Sequence, residues 1–351
     1  SINKYLRKAE VHMKAGEVEQ AQKLYAQVLS QFPKNKKAIQ GYQKLKKPPQ
    51  AEMDRLISLF NSNQLQAAAS LGTKLIGQFP SAPMLYEILG AANLSLGLAE
   101  DTIKNYQKLL QLNPKHTDAY NNLGLVFYEQ GKYSEAVDSY RKAVQLEPSF
   151  ADAHYNLGNA LKQAGDLRKA IESYRSSLAV NPNDIEILIE YGNVLKDYGE
   201  FEKAIECYKK ILNVDPNLVD IQTYLDNTIE EKKEIDELIA IYQSGSGSGD
   251  EISPAELFYF KGTILNLRNY SEAAVDTFKK ALRIEPNYAE VHLNIGIIFD
   301  NKQEPEAAIE NYKKALKIKP DYADAYYNMG IALNKNGEPD AAIESYKQAL
   351  K

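Results

Sequence analysis

The sequence predicts an all-α solenoid built from tandem helix–turn–helix units. Three observations predict it: residues 117–184 read as two near-copies of one 34-residue pattern, each half-copy has helical apolar spacing, and glycine and proline fall at fixed phase. The first copy carries Tyr120, Leu123, Gly124, Phe127, Ala136, Tyr140, Ala143 and Pro148; the second carries His154, Leu157, Gly158, Leu161, Ala170, Tyr174, Ser177 and Pro182. Self-similarity at such a period is the mark of a stacked repeat array.

Each copy divides at its middle. Ala119, Leu123, Val126 and Phe127 form one apolar stripe at helical spacing. Gly131 ends that helix as a residue tolerant of a left-handed backbone. Ala136, Val137, Tyr140, Ala143 and Val144 form the inner side of a second helix, and Pro148 forbids its continuation because proline lacks an amide donor. Gly124 and Ala136 are small where the two helices approach, and Tyr120, Phe127 and Tyr140 supply bulk between them. One pair alone leaves part of this stripe uncovered, so pairs stack on their neighbours. A coiled coil with four-residue breaks is the rival, and the phased glycine and proline argue against it.

The same residues resemble the tetratricopeptide repeat, whose aromatic, Leu-Gly, Tyr, Ala, Phe and Pro positions they match. The resemblance implies a right-handed superhelical solenoid, with first helices lining a concave face.

In chain order, 1–49 is a divergent N-terminal unit plus an extra helix: Tyr5, Ala9, Ala21, Tyr25, Val28 and Pro33 are in phase, Gly16 stands at the turn, and 36–46 is helical up to Pro48 and Pro49. The array proper covers 50–218. Its first pair is divergent, with Asn63 at the turn, and 83–116 and 185–218 restore the pattern. A degenerate helix pair is expected over 219–243, where the glycine and proline marks disappear and 230–237 is a run of charge. The Ser-Gly alternation at 244–249 reads as an engineered flexible linker, either replacing a loop or joining two segments. The pattern resumes over 250–351 and stops before its last proline, so more protein is expected beyond Lys351. The expected joints are 36–49 and 219–249.

Composition excludes several classes. A net charge of −5 supplies no basic face for nucleic acid as a bulk partner, and the basic run 34–47 reads as a solvated helix face. No apolar run reaches membrane-spanning length, and the chain opens at Ser1 without a signal pattern; a cytoplasmic, excised protein is expected. Cys207 is the only cysteine and stands where neighbouring copies have Ser139 and Ser173, which makes it a packing residue.

No catalytic constellation, cofactor motif or metal set is found, so the chain reads as no enzyme. His12, His116, His154 and His292 fall in different copies, the last two at the aromatic position of Tyr120 and Tyr326. There is no zinc-ligand spacing and no phosphate loop. Asp118, Asp152, Glu186, Glu256, Glu290 and Asp324 open successive first helices, where the helix dipole stabilises an acid.

What the array offers is surface. The candidate groove residues are Asn121, Asn122, Tyr128, Tyr155, Asn156, Asn159, Asn193, Tyr259, Asn294, Tyr327 and Asn328. Asn122, Asn156, Asn294 and Asn328 occupy one repeat position; each amide offers donor and acceptor to an extended peptide backbone, and tyrosines add rigid contact area. This ladder is similar to that of the O-linked N-acetylglucosamine transferases, with Glu190 breaking the series. A chaperone-binding carboxylate clamp needs cations where this chain has Asp152, Asn156, Glu186, Glu190, Asp324 and Asn328, and is rejected. Residues 59–97 also resemble bacterial arrays that precede a glycosyltransferase or sulfotransferase domain, implying the substrate-recognition arm of a larger enzyme. The expected function is protein or peptide binding in the groove. The alternatives are that enzyme arm and a homo-oligomer stacking through the open C-terminal end.

Overall fold

The computed structural model describes residues 2–15, 17–45, 47–245 and 252–351. Gly16 and linker residues 246–249 lie outside these, so the turn expected at the first and the linker expected at the second are not described. Every regular element among the described residues is an α-helix. The chain forms two compact units, 1–164 and 165–351. Their division falls inside the 50–218 array, between the two helices of the 151–184 copy.

Unit 1 contains α1 (Ile2–Lys14), α2 (Val18–Gln31), α3 (Lys36–Lys44), α4 (Gln50–Asn61), α5 (Leu65–Gln78), α6 (Pro83–Ser95), α7 (Ala99–Leu112), α8 (Thr117–Glu129), α9 (Tyr133–Leu146) and α10 (Ala151–Gln163). Helices α1 to α3 share one core of Leu6, Ala9, Ala21, Tyr25, Val28, Ala38 and Leu45. From α4 on, each first helix packs on its own second helix, and each second helix on the next first helix. Prolines two residues beyond the second helices stop them, as Pro148 does after α9.

The pairs are set by a size rule visible at Gly124. A Cβ there would stand 2.7 Å from Cε1 of Tyr140, which is 1% exposed. Only a missing side chain lets α8 approach the ring that fills the core beneath it. In the divergent pair α4/α5 the sizes are exchanged: Leu56, fully buried, stands at the glycine's position and Gly72 at the tyrosine's. A buried aliphatic against a helix with no Cβ fills the same space from the opposite side.

The turns between first and second helices recur at φ near +60 to +90°, five on glycine and three on Asn63, Asn269 and Gln303. Asn63 confirms the turn expected there. Gln303, at φ 62°, places an ordinary L side chain in the left-handed region, which costs about 1–2 kcal/mol. Replacing Gln303 by Gly adds back about 0.4–1 kcal/mol of unfolded-chain entropy. A net stabilisation of about 0.5–1 kcal/mol is expected, measured by urea unfolding; a destabilised variant would contradict the strain.

Unit 2 contains α11 (Leu167–Val180), α12 (Ile185–Tyr198), α13 (Phe201–Val214), α14 (Val219–Gly245), α15 (Pro254–Leu267), α16 (Ser271–Ile284), α17 (Ala289–Asn301), α18 (Pro305–Ile318), α19 (Ala323–Lys335) and α20 (Pro339–Ala349). Where a degenerate pair was expected over 219–243, the chain forms the single 27-residue helix α14. The reason is local. No glycine or proline interrupts 219–243, and Gln222–Asp226, Lys232–Asp236 and Lys233–Glu237 link successive turns at i,i+4 spacing.

Within unit 2, α16 also touches α12, and α15 touches α14. Phe201 of α13 sits edge-on to Tyr270, centroids 5.3 Å apart, in a core shared with Ile235, Ile264 and Leu265. Polar groups ring that core. Asp276 accepts from Tyr198 and pairs with Arg168, while Glu231 accepts from Tyr270 and pairs with Lys196 at 3.3 Å. Burial, then the Asp276 carboxylate, holds the Tyr198 phenol well above its usual range. The linker-bearing region is thus clamped by side chains from four helices.

Candidate functional site

In unit 1 the candidate residues lie on α8 and α10. Asn121, Asn122 and Tyr128 share one face of α8, and Tyr155, Asn156 and Asn159 share one face of α10; all six are half-buried. Three carboxamides form a chain across the helices. Asn156 Nδ2 donates to Asn121 Oδ1 at 3.0 Å, Asn121 Nδ2 approaches Asn122 Oδ1 at 3.5 Å, and Asn122 Nδ2 donates to the Tyr106 hydroxyl at 3.0 Å. Tyr106 itself is buried on α7, and burial pushes its phenol up to about 12, partly offset by the bond from Asn122.

The amides therefore have a structural task as well as an exposed one. Each donates one N–H within the array, and a carboxamide carries two N–H groups and two acceptor lone pairs. The chain fixes their rotamers, so the remaining groups are held in register. Tyr128 stands beside them, edge-on to Tyr133 with centroids 5.5 Å apart.

In unit 2 the grouping is looser. Asn294 Nδ2 donates to the carbonyl of Glu290 at 2.9 Å and reaches the Tyr259 hydroxyl at 3.4 Å, so α15 and α17 are joined through this pair. Tyr259 lies between Phe278 and Tyr288, with centroids 6.0 and 5.2 Å away. On α19, Asn328 turns back to the carbonyl of its own Asp324, and Tyr327 is 56% exposed beside Tyr346. Asn193 accepts from Tyr208 at 2.8 Å and is not joined to the other candidates by any printed bond. The four residues of one repeat position thus find different partners.

Sequence reasoning missed Tyr106 as the end of the carboxamide chain. Its signal was available: Tyr106 precedes Asn122 by 16 residues, the spacing at which Gly124 faces Tyr140. It also missed Lys319, whose Nζ lies 4.5 Å from the Tyr322 ring centroid and 3.9 Å from Glu290.

The reactive groups are separated. His292 has an unpartnered buried Nδ1, and burial lowers its pKa, so it stays neutral. Half-buried Cys207 packs with Leu188, Tyr208 and Ile211, and burial pushes its thiol up to about 11. A thiolate is the nucleophile, so alkylation of Cys207 by iodoacetamide is expected to be slow at pH 8 and to rise toward pH 11. The raised folded value means that stability is complete below the unfolded value and declines as pH climbs through the alkaline range; fast alkylation at pH 8 would contradict this burial. Among the described residues no group of His, Cys, Asp and Glu could hold a metal ion, and no helix is long and apolar enough to cross a membrane.

Four tetratricopeptide-repeat family profiles match, over 5–35 and 324–351, over 90–131, 124–165 and 298–337, over 151–184, and over 185–218 and 255–288. The chain belongs to the tetratricopeptide-repeat family. No curated protein matches the sequence of this tetratricopeptide array. Among solved structures it is similar to YrrB, described as a TPR protein with an unusual peptide-binding site, at 19% identity and TM-score 0.40, covering 73% of this chain and 96% of that one. It is also similar to MamA at 26% identity and TM-score 0.27 over 55% of this chain and 92% of that one. The Cut9–Hcn1 hetero-tetramer structure matches at 19% identity and TM-score 0.38, over 94% of this chain and 55% of that one.

Proposed function

We propose that this protein-interaction scaffold is non-catalytic and binds extended peptide or protein segments along its first helices. The observation that supports the reading is the Asn156–Asn121–Asn122 chain. Pre-oriented carboxamides on adjacent helices match the alternating N–H and C=O groups of an extended backbone, and orienting them before binding lowers the entropy lost on association. Tyr128 and Tyr155 flank them with rigid area.

The test replaces Asn122, Asn156 and Asn159 together by Ala. Peptides captured from a display library by the wild-type protein are expected to bind the variant more weakly by about 2 kcal/mol, roughly 30-fold. The loss of the bond to Tyr106 should cost only about 1 kcal/mol of stability. Unchanged affinity in a folded variant would refute the role of the carboxamides.

A further inference from the structure

We infer that unit 1 carries a second binding site on its second-helix face, a cleft that takes the primary carboxamide of an Asn or Gln side chain from a partner segment. The cleft has a volume of about 540 Å³ and lies between α5 and α7, with Leu89 and Asn93 of α6 at its floor. It exists because two positions are exceptional. Where other copies have Phe127, Leu161, Leu195 or Phe299, α6 has Asn93. Where they have Val137, Ile171, Ile205 or Ile309, α5 has Ala69. A large apolar pair is thereby replaced by a polar floor and a missing wall.

Asn93 is 5% exposed, and no hydrogen-bond partner of its side chain is found among the described residues. The neighbouring polar groups are turned away: Thr73 donates to the carbonyl of Ala69 at 2.8 Å and Asn105 to that of Asp101 at 2.7 Å. A buried carboxamide without a partner is destabilising, so its placement at the floor of an open cleft calls for an external one. The matching chemistry is narrow. A group that pairs with both Oδ1 and Nδ2 must present a donor and an acceptor on the same side. A primary carboxamide does so, whereas a trans peptide bond holds its N–H and C=O on opposite sides. A carboxylate offers no donor and an ammonium no acceptor. The rim favours neither charge, because Asp101 and Lys104 are paired with each other at 3.7 Å.

The test uses N-acetylglutamine N-methylamide as the probe and its methionine analogue as the control, read by saturation-transfer NMR on the full chain. The wild-type protein is expected to give a saturable signal with the glutamine probe only. Asn93→Leu, which restores the residue type of the other copies, and Ala69→Ile, which fills the cleft while leaving Asn93 in place, should each weaken the signal at least tenfold. If Asn93→Leu does not fold, Ala69→Ile decides. No saturable signal with the wild-type protein would show that the cleft holds water alone and overturn the inference. An equal signal from the methionine analogue, or full binding by a folded Asn93→Leu or Ala69→Ile variant, would overturn it too.

Discussion

Gly124→Leu is expected to destabilise unit 1 by about 3 kcal/mol or more, and Tyr140→Gly by about 3–5 kcal/mol. The two changes made together should cost much less than their sum. The first figure follows from geometry: a Cβ on residue 124 would lie 2.7 Å from a ring that is 1% exposed, so the ring has no free direction in which to move. The second follows from deletion of that ring from a core filled by Ala119, Leu123 and its neighbours. The compensation is what Leu56 and Gly72 already do in the adjoining pair, where the bulk comes from the first helix and the gap from the second. Denaturant unfolding of the four proteins gives a coupling energy, expected at about 2–3 kcal/mol in the compensating direction. Additive effects would show that the size exchange is not the rule that pairs these helices.

Phe201→Ala is the second large effect, at about 3–5 kcal/mol in unit 2. Phe201 is 4% exposed at the start of α13 and contributes to a core drawn from α14, α15 and α16, with its ring edge-on to Tyr270. Loss of the ring opens a cavity at the place where α13 meets the helices that follow the linker. The polar pairs around it, Arg168–Asp276 and Lys196–Glu231, are each partly solvent-exposed and stabilise far less per contact. Asp276→Asn is accordingly the smaller perturbation. Equal losses from the two variants, measured by urea unfolding, would place the clamp in its charges rather than its core.

The helix pairs were legible because the residues that define them recur in phase. Tyr140, Gly124 and Pro148 identify one copy, and the same types 34 residues apart identify the next. The turn at Asn63 could be read from its distance to Gly97 and Gly131, whereas Asn269 and Gln303 occupy the same left-handed position without the residue that announces it. Helix α14 was harder, since its apolar residues fit two short helices as well as one long one, and continuity is decided by the absence of a breaker and by i,i+4 pairs.

The candidate face was legible only in part. Alignment by repeat position put Asn122, Asn156, Asn294 and Asn328 in one column, but the bonds cross columns. Asn156 reaches Asn121, 35 residues back, because the facing side chains of adjacent first helices are offset by one residue. Asn294 stands 16 residues after Phe278, which has no hydroxyl, and it turns to Glu290 and Tyr259 instead. Asn93 escaped notice because a single polar residue in an apolar column has no period to reveal it.

The peptide-binding reading is tested most directly by following the side-chain amide resonances of ¹⁵N-labelled protein during titration with a library-selected peptide. The account predicts saturable shifts in the NH₂ signals of Asn121, Asn122 and Asn156, with slowed exchange of their second N–H against water. Shifts that bypass all three amides while the peptide binds elsewhere on the array would contradict it.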